Sequence, residues 1–166
     1  MVSPKANLPY EESYLGQLRQ VVGHRKLIAV VARAVILNAQ RQVLLVRRSD
    51  NGRWVMPAGS MELDENIEEA LVREVWEETG LTATAWTLIA VYTDPRYSAV
   101  TAYGDAYQFV SFVFRVDAWQ GDLATQTDET TDAAFFDPDH LPDDVPDLYH
   151  ETLRDLVAHT GDVILK

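Results

Sequence analysis

The stretch Gly59–Leu81, GSMELDENIEEALVREVWEETGL, predicts a loop followed by one short helix that is rich in carboxylates. Asn66 is a good N-cap residue, and Glu69, three residues later, completes a capping-box pair. Gly80 stands where a helix of this length needs a left-handed residue after its last turn. We therefore expect a helix over Ile67–Thr79.

The two sides of this helix differ in chemistry. At ~100° per residue, one arc of roughly 140° gathers the charged side chains Arg73, Glu74, Glu77 and Glu78. The opposite side carries the apolar side chains Leu71, Val72, Val75 and Trp76. Carboxylates three and four residues apart repel each other, and a hard divalent cation held by oxygen ligands offsets that repulsion. A metal site is one interpretation, and a solvated acidic helix face is the other.

The spacing within this stretch resembles the Nudix box of the Nudix hydrolase superfamily. Five residues separate Gly59 from Glu65, and seven separate Glu65 from the run Arg73–Leu81, REVWEETGL. These residues match the box at every defined position. The resemblance implies an α+β fold, namely a Nudix-type α/β/α sandwich in which a mixed β-sheet lies between helices.

The resemblance also assigns roles within the box. It implies a Mg²⁺ site, with Mn²⁺ as the alternative, whose ligands are the backbone carbonyl of Ala58 and the carboxylates of Glu74, Glu77 and Glu78. Arg73 is expected to orient these glutamates through charge-assisted hydrogen bonds. Glu65 closes the loop onto the helix, and Gly59 allows close backbone approach. A positive φ at Ala58, where relatives often have glycine, would be mildly strained.

A general base is expected either in the box or on a glutamate far downstream. Glu129, in the sequence TDETT, is the downstream candidate for this catalytic role, and Asp128 and Asp132 compete with it. A solvated acidic loop is the alternative interpretation of all three residues.

Candidates for substrate contact lie outside the box, because specificity in the superfamily resides mostly in loops. They are Arg47, Trp54, Tyr97 and Tyr103. Arg47 and Arg48 close a predicted strand, and either one can reach phosphate or stay solvated. Tyr97 stands at the distance past the box where a tyrosine resembles the pattern of diadenosine polyphosphate hydrolases. Pro95 is one residue away from the position where a proline is typical of ADP-ribose pyrophosphatases. Simple packing of the tyrosines in the loop Asp94–Asp105 is the alternative.

Periodicity predicts the remaining elements. The helices are Tyr10–Val22 and Pro146–Thr160, and the strands are Leu27–Leu37, Gln42–Arg48, Thr84–Thr93, Ala106–Trp119 and Ala133–Phe136. The first two strands are expected to pair as a hairpin. The N-terminal helix either packs on the domain, forms a dimer contact or covers the substrate as a flap. We expect a single domain over residues 1–166, with residues 1–26 as an N-terminal helical extension.

Composition excludes several classes of protein. Hydrophobic residues make up 47% and charged residues 24% of the 166 residues, as in a globular domain. No apolar run approaches the ~18 residues of a membrane span, and the first residues lack the core of a signal peptide. A formal net charge of −12 opposes binding to nucleic acid. Without cysteines or a leader, the expected location is cytoplasmic, with a small-molecule partner and a homodimer as an open alternative.

The resemblance implies metal-dependent hydrolysis of a diphosphate linkage in a nucleoside diphosphate derivative. ADP-ribose, nucleotide sugars and dinucleoside polyphosphates are the substrate classes expected. A house-cleaning nucleoside triphosphate pyrophosphohydrolase is the alternative enzyme. A nucleotide-sensing Nudix-fold binding module is the alternative outside enzymes, although such modules usually lose box glutamates that this chain keeps.

Overall fold

The structure is a computed structural model that describes residues 8–166. The described helices are α1 (Tyr14–Val22), α2 (Ile67–Thr79) and α3 (Asp147–Ala158), with 3₁₀ turns at Tyr10–Glu12 and Pro95–Tyr97. The described strands are β1 (Leu27–Ile36), β2 (Val43–Arg48), β3 (Trp54–Val55), β4 (Ala58–Ser60), β5 (Thr82–Tyr92), β6 (Ser98–Val100), β7 (Ala106–Gln120), β8 (Thr130–Phe136) and β9 (Ile164–Leu165). Residues 1–7 of the predicted extension lie outside the described part.

Within residues 8–166 the strands form two sheets. The larger sheet has the order β4-β1-β7-β5-β9, with β6 also paired to β7, and the smaller sheet has the order β3-β2-β8. In the larger sheet β1 runs parallel to β7 and β5 runs parallel to β9, whereas β4 is antiparallel to β1 and β5 is antiparallel to β7. The predicted α+β class with a mixed sheet is therefore confirmed.

Alternate side chains of β1 lie in two apolar clusters, as the period of a strand requires. Ala34 and Ile36 pack in one cluster with Leu71 and Val75 of α2. Val35 belongs to the other cluster, which includes residues of α3. The larger sheet thus separates α2 from α3, and α2 packs against β1 and β4.

The predicted hairpin is wrong in its pairing. A single bridge between Leu37 and Val43 joins the two segments, and β2 pairs instead with β3 and β8. The physical reason is that β1 has β4 on one edge and β7 on the other, so neither edge is free for β2. This placement brings the end of β2, at Arg48, beside the loop that precedes β8.

The signals that predict α2 are all present. Asn66 accepts hydrogen bonds from the backbone of Glu68 and Glu69, the side chain of Glu69 returns to the Asn66 amide, and Gly80 is left-handed. Trp76, expected on the core side, is instead 39% exposed. Because the core covers one side of α2 and the carboxylate site covers another, Trp76 lies on the strip of helix that remains open.

The predicted N-terminal helix is divided at Ser13. Ser13 is extended, and its side chain accepts a hydrogen bond from the amide of Gly16, so it caps α1 and separates it from the 3₁₀ turn Tyr10–Glu12. Arg19 is buried and donates to the hydroxyl of Tyr107 and to the carbonyl of Ala106. These bonds attach α1 to the start of β7.

None of the helices described in residues 8–166 is long and apolar enough to cross a bilayer.

Candidate active site

The site begins where β4 meets the second half of α2. Glu78 is almost fully buried, and one of its carboxylate oxygens accepts a hydrogen bond of 2.9 Å from the amide of Ala58. Of the described residues other than glycine, Arg41 and Asp64 alone have a positive φ, so Ala58 fits β4 without backbone strain. The alanine is therefore compatible with the backbone of this loop.

Gly59 of β4 lies against the carboxylate of Glu74 in α2. A Cβ atom added at Gly59 would stand 2.0 Å from the Cδ of Glu74 and 2.1 Å from its Oε1. No side chain fits at that distance, so glycine is required for Glu74 to occupy its position. The close approach expected at Gly59 thus involves the side chain of Glu74.

Arg73 is the centre of the hydrogen-bond network that surrounds the site. Its Nη1 donates to Oε1 of Glu74 at 2.6 Å and to Oε2 of Glu77 at 2.9 Å. Its Nη2 donates to Oε1 of Glu65 at 2.7 Å and to the carbonyl of Ser60 at 2.9 Å. One guanidinium group therefore ties two glutamates of α2 to the loop that precedes the helix.

Glu129 joins the site from the other end of the chain. Carboxylate oxygens of Glu74, Glu78 and Glu129 all lie within 4.8 Å of one another, a spacing at which they could hold a metal ion. The backbone carbonyl of Glu129 accepts a hydrogen bond from the amide of Ser49, which fixes this loop beside the end of β2. The sequence candidate for the downstream glutamate is thus brought to the box.

The rivals of Glu129 lie elsewhere. Asp128 lines a separate hollow beside Trp76 and Gly80. Asp132 accepts a hydrogen bond from the next backbone amide, that of Ala133, within β8. Neither aspartate belongs to the group formed by Glu74, Glu78 and Glu129, and Glu77 also lies outside that group, where it accepts a hydrogen bond from Arg73.

Burial makes the negative charges of this site costly. It raises the pKa of Glu74 to about 7, although the neighbouring Arg73 acts in the opposite direction. Burial also raises the pKa of Glu77, and burial together with the charge of Glu74 raises the pKa of Glu78 well above its ordinary value. A single arginine does not neutralise these groups, so the site favours a further positive charge.

A cavity of about 410 Å³ lies above the carboxylates. Its floor is formed by residues of the box and by Glu129, and Arg48 stands at its side. Residues of the segment Leu8–Gln17, here called the N-terminal wall, line one side of the cavity together with Leu63 of the loop before α2. The volume is in the range of small-molecule sites.

Arg47 and Trp54 are not among the described residues that line this cavity. Arg47 is exposed, and its Nε donates to the carbonyl of Gly52 at 2.9 Å. Trp54 packs edge-on against Phe136, with ring centroids 4.9 Å apart. The neighbouring arginine at this strand end, Arg48, lines the cavity instead. It also forms an ion pair with Asp50.

The two tyrosine candidates also lie apart from the described cavity lining. Tyr97 is buried and stacks on Tyr92, with ring centroids 5.0 Å apart. Tyr103 is 73% exposed. The sequence did not identify the residues of the N-terminal wall as candidates for substrate contact. The one signal for them is the amphipathic pattern of the N-terminal helix, for which a flap over the substrate is one of the alternatives.

The sequence model of the NUDIX domain matches residues 27–159, which is most of this chain. The chain belongs to the NUDIX family. A MutT-like protein of Streptomyces ambofaciens is 32% identical to this NUDIX chain over 135 residues, which cover 81% of this chain and 80% of the relative. An ADP-ribose pyrophosphatase of Methanocaldococcus jannaschii is 34% identical over 110 residues, 64% of this chain and 61% of that protein.

The fold agrees with this assignment. The crystal structure of the MutT protein from Methanosarcina mazei Go1 has a TM-score of 0.67 to this NUDIX chain, covering 83% of this chain and 99% of that one. At 21% identity this likeness establishes the fold alone. For several other curated relatives, the matched part spans less than two thirds of their own length.

Proposed function

We propose that this NUDIX protein hydrolyses a diphosphate linkage in a nucleoside diphosphate derivative, with the help of a divalent cation. The observation that carries the proposal is the group of oxygens from Glu74, Glu78 and Glu129, which lie within 4.8 Å of one another on the floor of a cavity. ADP-ribose, nucleotide sugars and dinucleoside polyphosphates are the proposed substrate classes. The similarity to an ADP-ribose pyrophosphatase supports this choice.

The residues of the site fit a hard cation. Carboxylate oxygens are the ligands that Mg²⁺ prefers, and the raised pKa values of Glu74 and Glu78 show how strongly burial disfavours their charges without a compensating ion. We assign Mg²⁺, with Mn²⁺ as the alternative, to the carbonyl of Ala58 and the carboxylates of Glu74, Glu77 and Glu78. When bound, the cation neutralises phosphate oxygens and makes a bound water more acidic.

The other side chains have separate tasks. Arg73 holds Glu74 and Glu77 in place and ties them to Glu65 of the preceding loop. Glu129 is exposed, stands within reach of the cavity and is the proposed acceptor of the proton of the attacking water. Arg48 lies beside the same cavity, where its guanidinium can bind a phosphate oxygen.

The wider proposals concern the whole chain. A net charge of −12 supports a small-molecule partner over nucleic acid, because phosphate chains are repelled wherever no cation intervenes. We propose a single domain over residues 1–166, in which residues 1–26 precede the part matched by the family, and a cytoplasmic location. A homodimer remains an alternative to a monomer.

Product analysis tests the proposal. Wild type, Glu78→Gln and Glu68→Gln would each be incubated with ADP-ribose, nucleotide sugars, dinucleoside polyphosphates and nucleoside triphosphates, with Mg²⁺ or Mn²⁺. Phosphorus NMR would identify the products. We expect Glu78→Gln to lose at least ~10²-fold of the activity. Glu68, an exposed residue of the same helix, is the matched control and should retain it.

The products distinguish the alternatives. Two monophosphates from ADP-ribose would support the proposed class, whereas inorganic diphosphate from a triphosphate would assign the chain to the house-cleaning enzymes. Turnover of no compound, with nucleotide binding intact, would contradict hydrolysis and favour a binding module.

A further inference from the structure

Part of the lining of the site cavity, away from the glutamates, consists of large apolar side chains. Leu8, Tyr10 and Leu63 are 47%, 52% and 60% exposed, and all three line the cavity whose floor carries the glutamates. Large apolar side chains that face water together at one cavity form a surface to which a ligand can bind. The cavity therefore has a charged end suited to a cation and phosphates, and an aromatic end suited to a group without charge.

The N-terminal wall is attached to the loop that carries the site. The amide of Tyr14 donates to Oε2 of Glu62 at 2.7 Å, and the amide of Glu62 donates to Oε1 of Glu65 at 2.7 Å. Glu65 in turn pairs with Arg73, which orients the glutamates. Through these bonds the wall has a fixed position relative to the carboxylates.

The side chain of Tyr10 is held at its far end. Its hydroxyl lies 3.3 Å from the hydroxyl of Tyr107, which also accepts a hydrogen bond from Arg19. Tyr10 as a residue nevertheless stays about half exposed, and it is one of the residues that line the cavity. A ring that is anchored in this way loses little conformational entropy when a planar group packs on it.

We propose that the N-terminal wall and Leu63 form the nucleobase subsite, with Tyr10 as the residue that contacts the base. This inference rests on the proposed function, because it places the phosphates of the same substrate at the glutamates. A nucleobase is the part of such a substrate that is planar and uncharged. Every base has an aromatic face, so bases pack on aromatic side chains with little dependence on which base it is. The subsite would thus determine how strongly the nucleoside part is bound.

Calorimetry with ligands that resist hydrolysis tests this subsite. Adenosine 5′-(α,β-methylene)diphosphate and methylenediphosphonate would be titrated with Mg²⁺ into wild type, Tyr10→Ala, Tyr10→Phe, Leu63→Ser and the control Tyr103→Ala. We expect the first ligand to bind wild type more tightly than the second. Tyr10→Ala should weaken that ligand at least ~fivefold and Leu63→Ser should weaken it less, while methylenediphosphonate is unaffected in both. Tyr10→Phe, which keeps the ring but loses the hydroxyl contact with Tyr107, should weaken the binding of the nucleotide less than Tyr10→Ala does, and Tyr103→Ala should behave as wild type.

Two results would overturn the subsite. One is equal affinity of wild type for both ligands, and the other is a Tyr10→Ala variant that binds the nucleotide as wild type does. The outcome is independent of the proposed hydrolysis, since neither ligand is cleaved. Base-dependent binding combined with no turnover in the product analysis would contradict the hydrolase and leave the subsite standing.

Discussion

At Gly59 the structure has room for a hydrogen atom and none for a carbon, because the carboxylate of Glu74 fills the space. Gly59→Ala should therefore displace Glu74 and lower metal-dependent hydrolysis by about 10²-fold, as a shift of ~1 Å in a catalytic group can do. Ser60→Ala is the control, because Arg73 is bound by the backbone carbonyl of Ser60 and the side chain is not needed. Steady-state kinetics would measure both, and unchanged activity in Gly59→Ala would refute the assigned role of Glu74.

Arg73 shows why arginine and lysine are not equivalent at a network of acceptors. Its three nitrogens donate to three glutamates and to one carbonyl. A lysine has one nitrogen with three hydrogens, so Arg73→Lys leaves buried acceptors unpaired. We expect the free energy of unfolding to fall by about 1–3 kcal/mol in chemical denaturation.

Arg115→Lys is the comparison for that measurement. Arg115 pairs with Asp117 on the surface, so its replacement by lysine should change the unfolding free energy little. Equal effects of the two substitutions would show that the Arg73 network contributes nothing beyond an ordinary surface pair.

Residue-level sequence reasoning found the box but not the walls of the cavity. The spacing of Gly59, Glu65 and Glu78 predicts neighbours because one loop and one helix bring them together over a short stretch. Tyr97 and Tyr103 are candidates for substrate contact by residue type alone. In the structure Tyr97 is buried in the core, and Tyr103 is exposed to solvent. Side-chain type predicts chemistry, whereas direction depends on tertiary packing.

At the level of elements, α1 is in close contact with the 3₁₀ turn at Gly16. A substitution at Gly16 therefore tests whether the position of Tyr10 in the N-terminal wall matters for binding. A Cβ added at Gly16 would stand 1.8 Å from the carbonyl oxygen of Tyr10. Gly16→Ala should raise the intrinsic helix propensity of α1 by about 1 kcal/mol and yet displace Tyr10. We expect nucleotide affinity to fall by about fivefold or more in calorimetry, with the helical circular dichroism signal retained.

Val21→Ala is the matched control on the same helix, because the side chain of Val21 is exposed and lies outside the described lining of the cavity. Its nucleotide affinity should equal that of wild type. Loss of affinity in both variants would point to a general weakening of α1 and away from a specific role of Tyr10.

Elements with strong local signals were predicted well, and elements that depend on distant partners were not. The capping box and the left-handed Gly80 define α2 within a few residues, so its bounds follow from sequence. The pairing of β2 with β8 joins residues far apart in the chain, and the short strand β9 exists through its pairing with β5. Local periodicity carries no information about such partners.

For the molecule as a whole, the central electrostatic fact is a net charge of −12 with several carboxylates gathered at one buried site. A divalent cation bound there stabilises the folded state alone, because the unfolded chain does not hold the ligands together. Saturating Mg²⁺ or Mn²⁺ should raise the free energy of unfolding by about 2–4 kcal/mol over protein in a chelator.

Thermal and denaturant unfolding of Glu78→Gln supply the comparison. The metal-induced stabilisation should shrink in this variant, whereas Glu68→Gln should retain all of it. Equal stabilisation of all three proteins would place the bound metal outside the carboxylate cluster.

The N-terminal wall precedes the region that the NUDIX family shares, since the family match begins at residue 27. The glutamates that perform the proposed cleavage all lie within that region. The proposed site is thus assembled from two segments, of which one lies outside the part of the chain that the family model matches. Grafting a different N-terminal segment onto the same domain would therefore change how strongly the nucleoside part of the substrate is bound, and the glutamates of the proposed cleavage would be retained.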